Sequence, residues 1–150
     1  MADKKKSAKK SAKNPGTDNS DKKIIAVVGA TGAQGGGLVR AILDNKHGGF
    51  AARAITRDPN SDKAKALADA GAEVVQADAD NVKSLEKAFE GAHGAFCVTF
   101  FWAHLKPETE LAQARNMAQA AKHAGIRHAI WSTLEDTRKS VPSRMTECRR

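Results

Sequence analysis

The chain has 150 residues and a formal net charge of +8, with two cysteines and no tyrosine. No apolar run reaches the roughly 18 residues of a membrane helix, and a chain this long has room for one domain with a real core but not for two. The excess charge sits at the ends: residues 1–23 hold eight Lys against three Asp, and residues 138–150 hold five Lys or Arg against one Glu. Between them, residues 24–137 carry twelve basic and thirteen acidic side chains, so the body of the chain is nearly neutral. That distribution removes most of the support for a nucleic-acid or membrane role of the body.

Residues 1–22 contain one Met and three Ala as their only apolar side chains, which cannot repay the entropy of ordering them. They read as a disordered basic tail. Its Lys4 to Lys13 cluster is either solvated charge, an import signal or a weak polyanion-binding arm. No apolar secretory segment follows this lysine-rich start, and Cys97 and Cys148 form no disulfide framework. The expectation is a soluble, cytoplasmic protein, with the nucleus as the alternative if the cluster directs import.

From Lys23 onward, short β-branched runs alternate with longer alanine-rich helical patterns, each bounded by Gly, Asp, Asn or Pro. Strands are predicted at 24–28, 51–56, 73–76, 95–99 and 128–131, and helices near 34–43, 61–70, 82–90 and 107–124. In the last helix Pro107 suits the first position, Glu108 and Glu110 suit the positive end of the dipole, and Gly125 suits a left-handed stop. Leu111, Ala114, Ala118 and Ala121 are expected to form its buried stripe. Five strands separated by four helices, joined by right-handed crossovers, predict an α/β fold: a doubly wound parallel sheet of the Rossmann type over residues 23–137.

The first unit carries the strongest signal. Gly29, Gly32 and Gly35 are spaced by threes directly after strand one and at the start of helix one. In such a turn the first glycine permits the sharp bend, the second admits a pyrophosphate close to the backbone, and the third lets helix and strand pack closely. The segment Gly29, Ala30, Thr31, Gly32, Ala33, Gln34, Gly35 therefore reads as a dinucleotide-binding turn, with free N–H groups near Gly32 to Gln34. A P-loop needs Lys and then Ser or Thr after its last glycine, and here Gly36 and Gly37 follow instead.

Arg57 comes 22 residues after Gly35, at the expected end of strand two, where a cation accommodates the 2′-phosphate of NADP. Asp58 beside it leaves the alternative that an acid takes the 2′-hydroxyl of NAD; NADP is the expected cofactor. Asp78, after strand three, offers an acceptor to an adenine amine, and Asp80 and Asn81 read as caps of helix three. Thr99 would lie beside the nicotinamide-side ribose. The aromatic cluster Phe100, Phe101, Trp102 reads as packing rather than stacking on a cofactor.

The segments "VVGATGAQGG", "ITRDP", "GAEVVQADADN", "AFCVTFFW" and "AKHAGIRHAIWSTLED" together resemble the NmrA-like family, within the atypical short-chain dehydrogenase superfamily. The resemblance covers about residues 23–137 and implies NADP bound by Gly29 to Gly35, Arg57, and Asp78 with Ala79, with Thr99 and Phe100 on the nicotinamide side. It implies either a redox sensor that binds a regulatory protein partner, including in transcriptional regulation, or an oxidoreductase acting on quinones or isoflavonoid-type compounds. Two departures stand out. Members often have Thr-Asn after strand four, where this chain has Thr99-Phe100; and the family continues with a further strand, a Lys-bearing helix and a small second domain. Residues 138–150 resemble no such continuation and read as a basic C-terminal tail. The expectation is a chain cut short, whether as a truncated gene model, a splice product or a divergent gene.

Reduction by a typical short-chain dehydrogenase uses a Tyr whose pKa is lowered by a Lys four residues on, and this chain has no tyrosine. No catalytic residue is therefore assigned. Ser132 and Thr133 read as the end of strand five rather than as carbonyl-orienting hydroxyls. His47, His93, His104, His123 and His128 are scattered without a completing ligand set, so no metal is expected, and no nucleophile elbow is present. The leading expectation is a non-catalytic NADP-binding module.

Overall fold

The computed structural model describes residues 21–134. The expectations for residues 1–20 and for the C-terminal tail, Cys148 included, lie outside the described residues.

Five strands alternate with four α-helices: β1 Lys23–Val28, α1 Ala33–Asp44, β2 Phe50–Thr56, α2 Asp62–Asp69, β3 Glu73–Gln76, α3 Val82–Phe89, β4 Gly94–Cys97, α4 Pro107–His123 and β5 His128–Trp131. The strands form one parallel sheet in the order β3-β2-β1-β4-β5. Two crossovers lead from β1 out to β3; the chain then returns past β1 to β4 and β5. Because crossovers keep one hand, that reversal puts α1 and α2 on one face and α3 and α4 on the other.

The two cores show this division. Ala26, Val28, Ile55, Leu85, Phe89, Cys97 and Met117 meet on the α3 and α4 side, and Val27, Val39, Ala52, Ala54 and Leu67 on the α1 and α2 side. Central β1 thus alternates between the two cores, which is why its run is apolar at successive positions. β4 begins and ends earlier than the 95–99 expected: Gly94 starts it, with Ile25 as its partner in β1, and Thr99 lies past its end.

The expected stripe of α4 holds only in part: Ala121 is half-buried against the core and Ala114 is half-buried. Leu111 is 51% exposed and Ala118 is exposed, while Met117 and Ala120 are fully buried against α3 and the sheet. The helix is rich in alanine on every side, so the one long flexible side chain that fills the core, Met117, decides the facing. The helix ends are as expected: Pro107 opens α4, Glu108 and Glu110 stand in its first turn, and Gly125 follows with φ +69°. α3 has a cap that its own sequence does not contain. Arg53 of β2 donates to the carbonyls of Ala88 (3.0 Å) and Glu90 (2.6 Å) and pairs with Glu73 (2.8 Å).

Candidate functional site

At the glycine turn, Gly29 has φ +66°, which an L side chain rarely adopts. Gly35 is required for a different reason: a Cβ there would stand 2.4 Å from the Gly29 carbonyl oxygen and 3.0 Å from Ala30 Cα. Helix α1 therefore approaches β1 backbone to backbone. Ala30 is buried and its N–H donates to Ile55 O at 3.2 Å, tying the turn to β2. Half-buried Thr31 leads to Gly32, which begins the helix without a side-chain cap. The Gly32 amide donates back to Gly29 O (2.9 Å), and the Gly36 amide to Gly32 O (2.9 Å). The amides of Ala33, Gln34 and Gly35 have no acceptor among the described residues. Three N–H groups at the positive end of a twelve-residue helix are left to an anion.

Arg57 and Asp78, from loops 21 positions apart in sequence, line one cavity of about 280 Å³ with Gln76, Ala77, Asn81 and Ser84. The Arg57 side chain is exposed and has no carboxylate partner among the described residues. Gln76 Nε2 donates to Arg57 O at 3.0 Å and holds that backbone in place. Asp58 has a local task, accepting from the Asn60 amide (2.9 Å), while its carbonyl accepts from the Ser61 hydroxyl (2.9 Å) ahead of α2. The Asp78 carboxylate accepts from the Asp80 amide (3.0 Å) through one oxygen, and the Asp78 amide donates to Ser84 Oγ (3.0 Å).

Of the two expected caps of α3, Asn81 is one, accepting from the Ser84 amide at 3.2 Å. Asp80 is not: it accepts instead from Gln113 Nε2 of α4 at 3.0 Å. Asn116 of α4 donates to Ala79 O at 2.9 Å, so two α4 side chains fix the loop that carries Asp78. Gln113 and Asn116 carry no signal of this role in the sequence, because nothing in α4 alone indicates which loop it faces.

Beyond β4, half-buried Thr99 donates its hydroxyl to Glu110 Oε1 at 2.6 Å. Glu110 thus does more than suit the helix dipole. Only Phe101 of the aromatic cluster is half-buried, set edge-to-face against Trp102 and His104 in a 3-10 turn, Phe101–Ala103; Phe100 (63%) and Trp102 (75%) are exposed, so packing explains only part of the cluster. Ser132 ends β5 as expected, its amide bonded to Cys97 O (2.9 Å), and its hydroxyl also donates to Gln34 Oε1 at 2.7 Å. The glycine turn, Arg57, Asp78, Thr99 and Ser132 all stand at the C-terminal ends of their strands. That rim, where the direction of strand connection reverses at β1 and β4, is where open α/β sheets present ligand crevices. Burial pushes the Cys97 thiol beneath it up to about 11, so it is not a ready nucleophile.

Comparisons with known proteins agree with this architecture. An "NmrA-like family domain-containing oxidoreductase FrzB" from Cladobotryum sp. is 42% identical over 114 residues, covering 73% of this chain and 33% of the relative. The crystal structure of NmrA, described as a negative transcriptional regulator, in complex with NADP superposes with a TM-score of 0.67 at 34% identity, covering 81% of this chain and 36% of that one. The triphenylmethane reductase of Citrobacter sp. complexed with NADP(H) gives 0.66 at 31% identity, covering 79% and 40%. The chain thus spans about a third of the length of the curated relative it matches. The NmrA-like family model matches residues 21–146, and the chain belongs to the NmrA-like family.

Proposed function

We propose that this chain is an NADP-binding module whose role is regulatory, changing the surface it offers a protein partner according to the NADP(H) supply rather than turning over a substrate. In this reading the amides of Ala33, Gln34 and Gly35 hold the diphosphate, in a turn shaped by Gly29, Ala30, Thr31 and Gly32. Arg57 takes the 2′-phosphate, Asp78 and Ala79 border the adenine, and Thr99 and Phe100 border the nicotinamide-side ribose. The observation that carries the choice of NADP is the Arg57 guanidinium, without a carboxylate partner among the described residues, on the same cavity as Asp78, with the Asp58 carboxylate engaged in its own turn. Bound NADP would supply a nicotinamide that accepts or donates hydride. No tyrosine stands anywhere in these 150 residues to relay the accompanying proton, which supports sensing over turnover.

One observation favours a second reading, an NADP-dependent oxidoreductase acting on a quinone or isoflavonoid-type compound: relatives 42% identical over 114 to 125 residues carry "oxidoreductase" in their names. Calorimetric titration tests the first reading. NADPH should bind more tightly than NADH, and Arg57→Ala should weaken NADPH about 10- to 100-fold, the loss of a charged hydrogen bond, while leaving NADH unchanged. Equal affinity for both coenzymes, or equal losses, would refute the role given to Arg57. Sustained NADPH oxidation with a quinone panel would favour the second reading.

A further inference from the structure

Helix α4 reaches both ends of the candidate crevice through one run of side chains. Glu110, Gln113 and Asn116 follow one another at intervals of three, so they share a broad face and span about 9 Å at about 1.5 Å per residue. All three are half-buried. Farther along that face Met117 and Ala120 enter the core, with Ala121 and Ala124 packed against it. The face is therefore apolar where it covers the sheet and polar where it meets the loops beyond the strand ends.

Each of these polar side chains bonds to a loop that borders the crevice. Asn116 donates to Ala79 O (2.9 Å) and Gln113 to Asp80 Oδ1 (3.0 Å), while Glu110 accepts from the Thr99 hydroxyl (2.6 Å). The Ala79 carbonyl is thereby occupied, whereas the Ala79 amide and the second Asp78 carboxylate oxygen have no partner among the described residues. The loop after β3 thus keeps one donor and one acceptor for a ligand. Thr99 has a single hydroxyl proton and Glu110 holds it, so toward a ligand Thr99 Oγ1 offers lone pairs only. It can receive a bond from a ribose hydroxyl but cannot donate one to a phosphate.

We propose, resting on the coenzyme reading above, that Glu110, Gln113 and Asn116 are positioning residues for the dinucleotide. Gln113 and Asn116 set the loop at the adenine end, and Glu110 sets Thr99 as an acceptor for a hydroxyl of the nicotinamide-side ribose. None of the three touches the coenzyme; each acts through the residue it holds. A loop without these bonds must be ordered by the ligand, and that ordering is subtracted from affinity. Because different residues serve the two ends, the ends should fail separately.

Calorimetric titration of the full chain with NADPH, and with adenosine 2′,5′-bisphosphate, which lacks the nicotinamide half, separates the two ends. Gln113→Met combined with Asn116→Leu keeps side-chain size but removes both donors, and should weaken both probes about 5- to 20-fold. Glu110→Met should weaken NADPH about 5-fold and leave the bisphosphate unchanged. Two conservative variants should rescue: Gln113→Lys again offers Asp80 a donor, and Glu110→Gln still has an oxygen to accept from Thr99. A helix that only packs would give equal losses for the two probes. In the parent chain, where no variant can misfold, the bisphosphate should slow amide hydrogen exchange in 78–81 and in 110–116 together. Unchanged bisphosphate affinity in the double variant, equal losses of both probes in Glu110→Met, failure of the rescues, or protection of the loop without the helix would overturn the positioning role and leave the coenzyme reading standing. A parent chain that binds neither probe would overturn both.

Discussion

Two glycines in one helix should respond to alanine with opposite sign. At Gly35 the added Cβ would meet Gly29 O at 2.4 Å, Gly29 C at 2.8 Å and Ala30 Cα at 3.0 Å. All three are backbone atoms of the turn, so no side-chain rotation relieves the clash and α1 must move off β1. Helix propensity alone would make Gly→Ala favourable by about 1 kcal/mol. Overpacking of a close contact costs typically about 1–3 kcal/mol, and here the obstacle is backbone, so the upper end applies and the net change is a loss of about 1–2 kcal/mol. At Gly37, two positions on, an added Cβ meets nothing within 4 Å, and Gly37→Ala should stabilise by about 0.5–1 kcal/mol. Urea unfolding of the three proteins, read as the shift in midpoint at constant m, measures both. A Gly35→Ala protein as stable as the parent would show that the turn does not need the close approach, and the anion-binding geometry built on it would fall as well.

Arg53→Met should destabilise the fold by about 1–3 kcal/mol in urea unfolding, because it leaves the Ala88 and Glu90 carbonyls without their donor at the end of α3; a neutral result would mean that water replaces the guanidinium without loss. Burial holds the Cys97 thiol up at about 11 against its ordinary 9.0, so the unfolded chain releases this proton first. The contribution is fully present below pH 9 and falls by about 1.4 kcal/mol per pH unit between about 9 and 11. Comparing Cys97→Ala with the parent in pH-dependent unfolding isolates it: the difference between the two curves should shift over that window, and parallel curves would refute the assignment.

Much of the fold was legible in residue order because its signals are local. β3 and β5 occupy the predicted 73–76 and 128–131, since each is a short run between a helix stop and a turn. The Gly29 bend, the Pro107 start of α4 and the left-handed Gly125 follow from backbone restrictions that act within a few residues. Once β and α segments alternate, the hand of the crossover leaves a parallel sheet with helices on both faces.

What tertiary structure alone decided concerns groups that local spacing cannot connect. The facing of α4 depended on which side chain the core had room for, and an alanine-rich helix carries little pattern to say so. The Arg53 cap on α3, the Thr99–Glu110 bond, the Gln34–Ser132 bond and the hold of Gln113 and Asn116 on the loop of Asp78 join residues 11 to 98 positions apart. Glycine spacing and charge could name Arg57 and Asp78 one at a time; placing them on the same cavity required the pairing of β2 with β3. The reason is that a side chain's type limits which bonds it can form, whereas its partner is set by how strands and helices pack across the whole sheet.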